Sequence, residues 1–290
     1  TRPLSFMSMK DDPYLQKKAS IIYANHNFPN NPCLPKIENF NNHVKIHIGY
    51  FSADFKLHPV AALTAELYEM HDREKFTVHA ISFGPDTNDE LNLRVKEGVD
   101  HFHDVEKMTD RDVANYVRSL EIDIAIDLGG FTADSRTSVF AMKIAPIQVN
   151  YLGFPGTMGA GYMDYIIADH TLIPKNMQKH FLEKIAYMPD SYMVNDTKYK
   201  KPSQVFSKEG IGLPEDVFVF CCFNAHYKIT QTVYKSWMQI LLKVEESVLW
   251  LADGNLSSIN NLIKYADECG VDSSRLIFAP QLDLREDHLN

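Results

Sequence analysis

Apolar residues fall into two rhythms along this chain. Short continuous runs read as buried strands, and stretches where apolar positions return every three or four residues read as helices. The run "VKIHIGYFS" (44–52) is a strand, "HPVAALTAELYEMH" (58–71) a helix and "FTVHAISF" (76–83) a strand. "NDELNLRVKEGV" (88–99) is a helix, "HFHDV" (101–105) a short strand, and "TDRDVANYVRSL" (109–120) a helix with Thr109 as its N-cap. "IDIAIDL" (122–128) is a strand, "SRTSVFAMKI" (135–144) a helix capped by Asp134 or Ser135, and "IQVNYL" and "DYIIA" are strands. Strand and helix in alternation, joined by short turns, predict a parallel sheet covered on both faces.

Outside this block the pattern changes. Residues 10–25 place Leu15, Ala19, Ile22 and Tyr23 at helical spacing, while residues 27–43 are rich in Asn and Pro and read as a linker. A polar, proline-containing stretch (195–216) separates a second unit. There "VFVFCCF" (217–223) is an apolar strand, 230–244 a helix with Val233, Trp237, Ile240 and Leu241 on one face, and 247–253 a strand. Residues 258–270 form a helix ended by Gly270, and 275–280 a strand. This is the start of a second β/α/β unit, expected to be incomplete. With no initiator Met and an end at "REDHLN", the chain reads as a fragment.

Composition narrows the class. The 290 residues are 45% hydrophobic and 23% charged, which fits a globular protein. Lys plus Arg total 29 against 38 Asp plus Glu, a net charge of −9, and the one basic cluster is "KYKK" at 198–201. That balance argues against a nucleic-acid track. The four cysteines form no CxxC pair and are expected to be buried free thiols of a reducing compartment, the cytoplasm. No signal peptide and no apolar run near 18 residues is present, so no membrane partner is expected.

Four turns hold candidate chemistry. In doubly wound sheets ligands lie beyond the carboxyl ends of strands. "YFSADFKLHP" sets Asp54, Lys56 and His58 at such an edge, as proton-handling groups or as caps of the following helix. "IDLGGFTADSR" sets Gly129 and Gly130 where backbone N–H groups can face a bound group, or form a tight turn. "YLGFPGTMGAGYMDY" strips side chains at Gly153, Gly156, Gly159 and Gly161; a sugar or phosphate, or another stretch of backbone, can approach there. "CFNAHYKIT" sets Asn224, Tyr227 and Lys228 ahead of a helix N-terminus, a favourable place for a diphosphate. Metal ligation is poorly supported: "DRD" (110–112) falls in a helix's first turn, and "HFH" (101–103) reads as a solvent-facing pair without a third ligand. The GxSxG elbow, the phosphate-loop motif and the dinucleotide GxGxxG are absent.

In this order the four turns resemble the catalytic region of the O-linked N-acetylglucosamine transferase family, including its bacterial and SPINDLY-type members. The resemblance rests on "IGYFSADFKLHPVA", "IDLGGFTADSR", "APIQVNYLGFPGTMGAGYMDYIIAD", "EKIAYMPDSY", "GLPEDVFVFCCFNAHYKIT" and "SVLWL". It implies a GT-B fold, α/β with two Rossmann-like parallel-sheet domains: a helix and linker at 1–43 following upstream helical repeats, a first catalytic domain at 44–204, and an incomplete nucleotide-sugar domain from 205. It further implies inverting transfer of N-acetylglucosamine from a uridine diphosphate donor to Ser or Thr of acceptor proteins, with no cofactor and no metal; SPINDLY-type members transfer fucose instead. Carried over by residue, the resemblance gives His58 and Lys228 catalytic roles, Lys228 on the diphosphate and His58 as base or acceptor-orienting group. It gives donor contacts to Gly153, Phe154, Pro155, Gly156, Thr157, Asn224, Tyr227 and Lys228, and acceptor contacts to Asp54, His58 and Gly130. Two positions depart from the family pattern: Ala133 replaces a basic residue, and Ala225–His226 leaves a polar contact near the diphosphate in doubt. A non-catalytic protein-binding fragment is the rival reading.

Overall fold

The structure, a computed structural model, describes residues 2–37, 44–198 and 206–279. It divides into two compact units, 1–198 and 199–290. The expected boundary at 204/205 lies outside the described residues, as do 38–43 of the expected linker.

In the first unit, helices α1 (Pro3–Met9) and α2 (Pro13–Asn27) precede strand β1 (Ile46–Ser52) and helix α3 (Pro59–Glu69). Then come β2 (Phe76–Ser82), α4 (Glu90–Gly98), β3 (His101–Asp104), α5 (Asp110–Ser119) and β4 (Ile124–Asp127). A short α6 (Thr137–Ala141), β5 (Ile147–Asn150), β6 (Tyr165–Ala168) and β7 (Lys184–Tyr187) complete it. The seven strands form one sheet in the order β3-β2-β1-β4-β5-β6-β7, with every neighbouring pair parallel. Alternation along each strand divides the core between two faces. Tyr50, Val78 and Ala80 pack with Tyr68 of α3 and Leu91 and Val95 of α4. Phe51 and Ile81 pack with Val113 and Val117 of α5 and Phe140 of α6.

Local signals explain the helix starts. Thr109 accepts from the Asp112 N–H and Asp89 from the Asn92 N–H, each supplying an orphan donor of a first turn. Acids at 110 and 112 then favour the N-terminal end of the α5 dipole. The helix expected at 135–144 contracts to five residues. Neither Asp134 nor Ser135 caps it: Arg136 holds the N-cap position without a side-chain bond, and Asp134 adopts φ +57°.

Strand β7 lay hidden in the sequence because "KIAY" is short and not continuously apolar. The face of α2 also differs from expectation. Gln16, Ser20 and Ala24 are buried, whereas Leu15 and Ile22 are exposed. Ser20 and Ala24 are small enough to let the helix backbone reach residue 159, where an added Cβ would lie 2.5 Å from the Ile21 nitrogen, and Gln16 donates to the Pro3 carbonyl. Residues 28–37 are tied to this unit: the Asn31 N–H donates to the Ala141 carbonyl (2.9 Å), and Tyr162 Oη donates to the Phe28 carbonyl (3.0 Å).

The second unit comprises β8 (Phe218–Cys222), α7 (Gln231–Lys243), β9 (Ser247–Ala252), α8 (Leu256–Glu268) and β10 (Leu276–Ala279). Its described strands pair in parallel in the order β10-β9-β8. Tyr234, Met238 and Leu241 form the buried face of α7, while Val233 and Ile240, expected inside, are exposed. The cysteines are free as expected but not buried: Cys33 and Cys221 are exposed, and Cys222 and Cys269 are half-buried. Cys221 sits on β8, which among the described strands has one neighbour.

Candidate functional site

The strand order of the first unit reverses direction between β1 and β4, which makes their carboxyl ends the topological switch point where ligands of such sheets gather. Three of the four turns singled out in the sequence leave the sheet there, after β1, β4 and β5.

After β1, two basic side chains lie near the Asp54 carboxylate: Lys56 Nζ is 4.0 Å and His58 Nδ1 3.6 Å from its oxygens. His58 is also the N-cap of α3, with Nδ1 accepting from the Val60 N–H at 3.2 Å. An Nδ1 that accepts leaves the ring proton on Nε2. In this geometry His58 offers a donor outward rather than a base.

After β4, Asp127 is buried, and its Oδ1 accepts from the Gly129 N–H (2.9 Å) and the Gly130 N–H (3.0 Å). The backbone donors that the double glycine was expected to offer a ligand are thus engaged inside the protein. Gly130 sits at φ +57°, and a Cβ there would meet Phe154 Cβ at 2.5 Å. Burial pushes the Asp127 carboxyl up to about 6, against the pull of the two N–H donors. Its Oδ2 finds no donor, nor does the Oδ1 of Asn150, the residue opposite it on β5.

After β5, the glycine loop is built from inside. Asn150 Nδ2 donates to the carbonyls of Phe154 and Gly156, both at 3.0 Å. Thr157 Oγ1 donates to Glu183 (2.7 Å), which also accepts from the Met158 N–H (2.6 Å). Burial raises the Glu183 carboxyl above its usual range. Phe154 packs on Phe131 with ring centroids 5.3 Å apart and is fully buried. A Cβ at 153 would stand 2.1 Å from the Leu128 carbonyl oxygen.

Internal close approach therefore accounts for Gly153 and Gly159 (against Leu128 and α2) and for Gly156, where a Cβ would stand 2.9 Å from the Phe154 ring. Of the four loop glycines, Gly161 is the one where a Cβ would meet nothing within 4 Å. Of the two readings open for these glycines, close packing within the protein accounts for Gly153, Gly156 and Gly159. The side chains of Phe154 and Thr157 are both committed to the interior. Gly153 and Pro155 keep partial exposure. Asn150 and Glu183 shape this loop and were missed in the sequence, where an Asn ending a strand and a lone Glu in "LEKIAY" carry no distinguishing spacing.

In the second unit, the turn from β8 to α7 exposes Asn224, Tyr227 and Lys228. Lys228 ends a single 3-10 turn, with its Nζ 6.0 Å from the Tyr227 ring centroid. Thr230 then caps α7, accepting from the Val233 N–H, so a cation stands just ahead of the N-terminus of a 13-residue helix.

Among the described residues, no three His, Cys, Asp or Glu side chains converge to hold a metal ion. The "HFH" histidines are not a solvent-facing pair. His103 Nε2 lies 3.0 Å from His79 Nδ1, and its Nδ1 lies 2.8 Å from Tyr116 Oη. The rings of His47 and His101 pack on His79 with centroids 5.3 and 4.8 Å away. No helix among the described residues is long and apolar enough to cross a membrane.

Comparison with known proteins bears on the whole chain. The family model described as "Glycosyl transferase family 41" matches residues 19–209 and 198–290. The chain belongs to this family. The Arabidopsis thaliana protein named "Probable UDP-N-acetylglucosamine--peptide N-acetylglucosaminyltransferase SEC" is 35% identical over 250 residues, 84% of this chain and 26% of its own length. The Hordeum vulgare SPINDLY protein is 29% identical over 249 residues, 83% of this chain and 26% of its own. A mutant O-GlcNAc transferase of Thermobaculum terrenum matches with a TM-score of 0.85 at 26% identity, over 98% of this chain and 55% of that one. The chain has the GT-B type of α/β fold expected from the sequence. This chain spans about a quarter of the length of the two plant relatives.

Proposed function

We propose that this chain is part of a protein O-glycosyltransferase that moves N-acetylglucosamine from UDP-N-acetylglucosamine to Ser or Thr hydroxyls of proteins, with inversion and without a metal. The observation that carries this reading is the match to a bacterial O-GlcNAc transferase across 98% of the chain at a TM-score of 0.85. The names of the plant relatives support the same donor and a peptide acceptor.

Inverting transfer forms a bond from the acceptor oxygen to the anomeric carbon while the bond to the diphosphate oxygen breaks. The departing diphosphate takes the electron pair, and the hydroxyl proton passes from the acceptor to an oxygen of that diphosphate. Stabilising the departing negative charge is the larger demand on the protein. In this reading Lys228 and the N–H groups opening α7 meet that demand, with Asn224 and Tyr227 beside them. In the first unit, Gly153 and Pro155 keep the glycine loop partly exposed, where a sugar can approach. His58, donating from Nε2, orients the acceptor, and the Val60 N–H holds the ring; the tautomer it sets favours this role over that of base.

Lys228→Ala in the intact gene product tests the assignment. Loss of one such donor raises a barrier by roughly 2.7–4 kcal/mol, so turnover is expected to fall about 100- to 1,000-fold. Mass spectrometry of a co-expressed acceptor protein reads both the extent of transfer and the sugar added. Near-normal modification by the mutant refutes the role of Lys228, and a sugar other than N-acetylhexosamine refutes the donor.

A further inference from the structure

The β8–α7 turn has little of its own to hold it. Lys228 N donates to the Ala225 carbonyl (2.9 Å) and Ile229 N to the His226 carbonyl (3.0 Å), which makes one 3-10 turn. Asn224 adds a 3.7 Å contact to Cys222 Sγ. Turns with so few bonds open readily, and a lysine on one would sweep a wide volume.

His226 points the other way from its exposed neighbours. Its Nε2 lies 2.8 Å from the Ala252 carbonyl at the end of β9, and its Nδ1 lies 2.7 Å from Ser258 Oγ in the first turn of α8. The ring also meets Phe278 of β10 edge-on, with centroids 6.2 Å apart. Room for it is kept by Gly254, where a Cβ would stand 2.6 Å from both Cε1 and Nδ1 of the ring. One imidazole thus ties the turn to the carboxyl ends of two other strands and to a second helix. The sequence left a polar contact near the diphosphate in doubt at Ala225–His226; His226 turns inward, and its bonds are to the protein itself.

We propose that His226 is the positioning residue for Lys228. By clamping the turn to Ala252 and Ser258 it holds the ammonium group ahead of the α7 N-terminus, so that cation and free N–H groups meet a diphosphate together. Gly254 belongs to the same device as the space the ring occupies. The inference rests on the reading of Lys228 as the diphosphate ligand.

The test compares UDP and UMP, which differ by one phosphate, on the intact gene product and its variants. The Kd ratio of the two nucleotides isolates the diphosphate contribution. Lys228→Ala is expected to lower the UDP preference about tenfold, the scale of one charge-assisted hydrogen bond. His226→Leu is expected to lower it comparably while UMP affinity stays within about twofold. Hydrogen exchange at the amides of Lys228 and Ile229 is expected to quicken in His226→Leu. His226→Gln, whose amide can donate to the Ala252 carbonyl, is expected to restore most of both effects.

Unchanged exchange at those amides in His226→Leu overturns the clamp. So does an intact UDP preference in His226→Leu where Lys228→Ala has lost it, or an equal loss of UDP and UMP affinity, which marks a merely structural residue. If Lys228→Ala itself leaves the UDP preference intact, the diphosphate role of Lys228 fails, and the positioning role falls with it.

Discussion

At Asp127 burial and hydrogen bonding oppose one another. Two glycine N–H groups stabilise its carboxylate, yet its Oδ2 is buried without a donor, and the acid is pushed up to about 6. Asp127→Asn keeps the accepting oxygen and removes the buried charge, so stability at pH 7 is expected to change by no more than about 1 kcal/mol. Asp127→Ala strands both N–H groups and is expected to lose about 2–3 kcal/mol. Urea denaturation of the two variants reads the difference. The sequence marked this turn as special through its paired glycines but did not reveal what the glycines serve. An N–H group offered to a ligand and one engaged by a buried Asp look alike in a string of letters.

Elements were more legible than residues where the two hydrophobic rhythms were clean. Strands β1 to β6 and helices α3 to α5 of the first unit fall where periodicity placed them, because buried parallel strands are continuous apolar runs and the helices carry ordinary caps. Faces were less legible. On α2 the exposed side carries Tyr14, Leu15 and Ile22, while the docked side is Gln16, Ser20 and Ala24. Contact there is set by backbone proximity, which hydrophobicity does not encode. Gly159 has φ +61°, and an added Cβ would lie 2.5 Å from the Ile21 nitrogen. Gly159→Ala therefore combines a strained backbone with overpacking and is expected to cost about 2–5 kcal/mol. Hydrogen exchange over residues 13–27 is expected to quicken more than exchange over α3. Uniform change across the two helices counts against this seat.

On the scale of the molecule, acid acts on two buried groups with opposite sign. His79, 4% exposed, is held near 3 by burial and by the facing rings of His103, His101 and His47, with Asp100 pulling weakly the other way. Its folded value lies below the ordinary 6.5, so the unfolded chain binds the extra proton. Its contribution to stability is complete above pH 6.5 and is lost on acidification from 6.5 toward 3, by at most about 1.4 kcal/mol per pH unit. Asp127, raised from 3.8 to about 6, binds its proton more readily when folded, so its penalty is relieved as pH falls from 6 toward 3.8. The two contributions therefore oppose one another across the range they share. His79→Phe, measured by denaturant midpoints from pH 7 to 4, is expected to lose less stability on acidification than the parent chain does; an unchanged profile rules out His79 as a source of the acid sensitivity. One mechanical result also follows from the way α2 is seated. Ile21 lies against Gly159, Tyr23 against Phe131 and, on α1, Met7 close to Gly156. A tug on the chain ahead of Pro13 is thus delivered, through a lever one helix long, straight into the segment that follows β5.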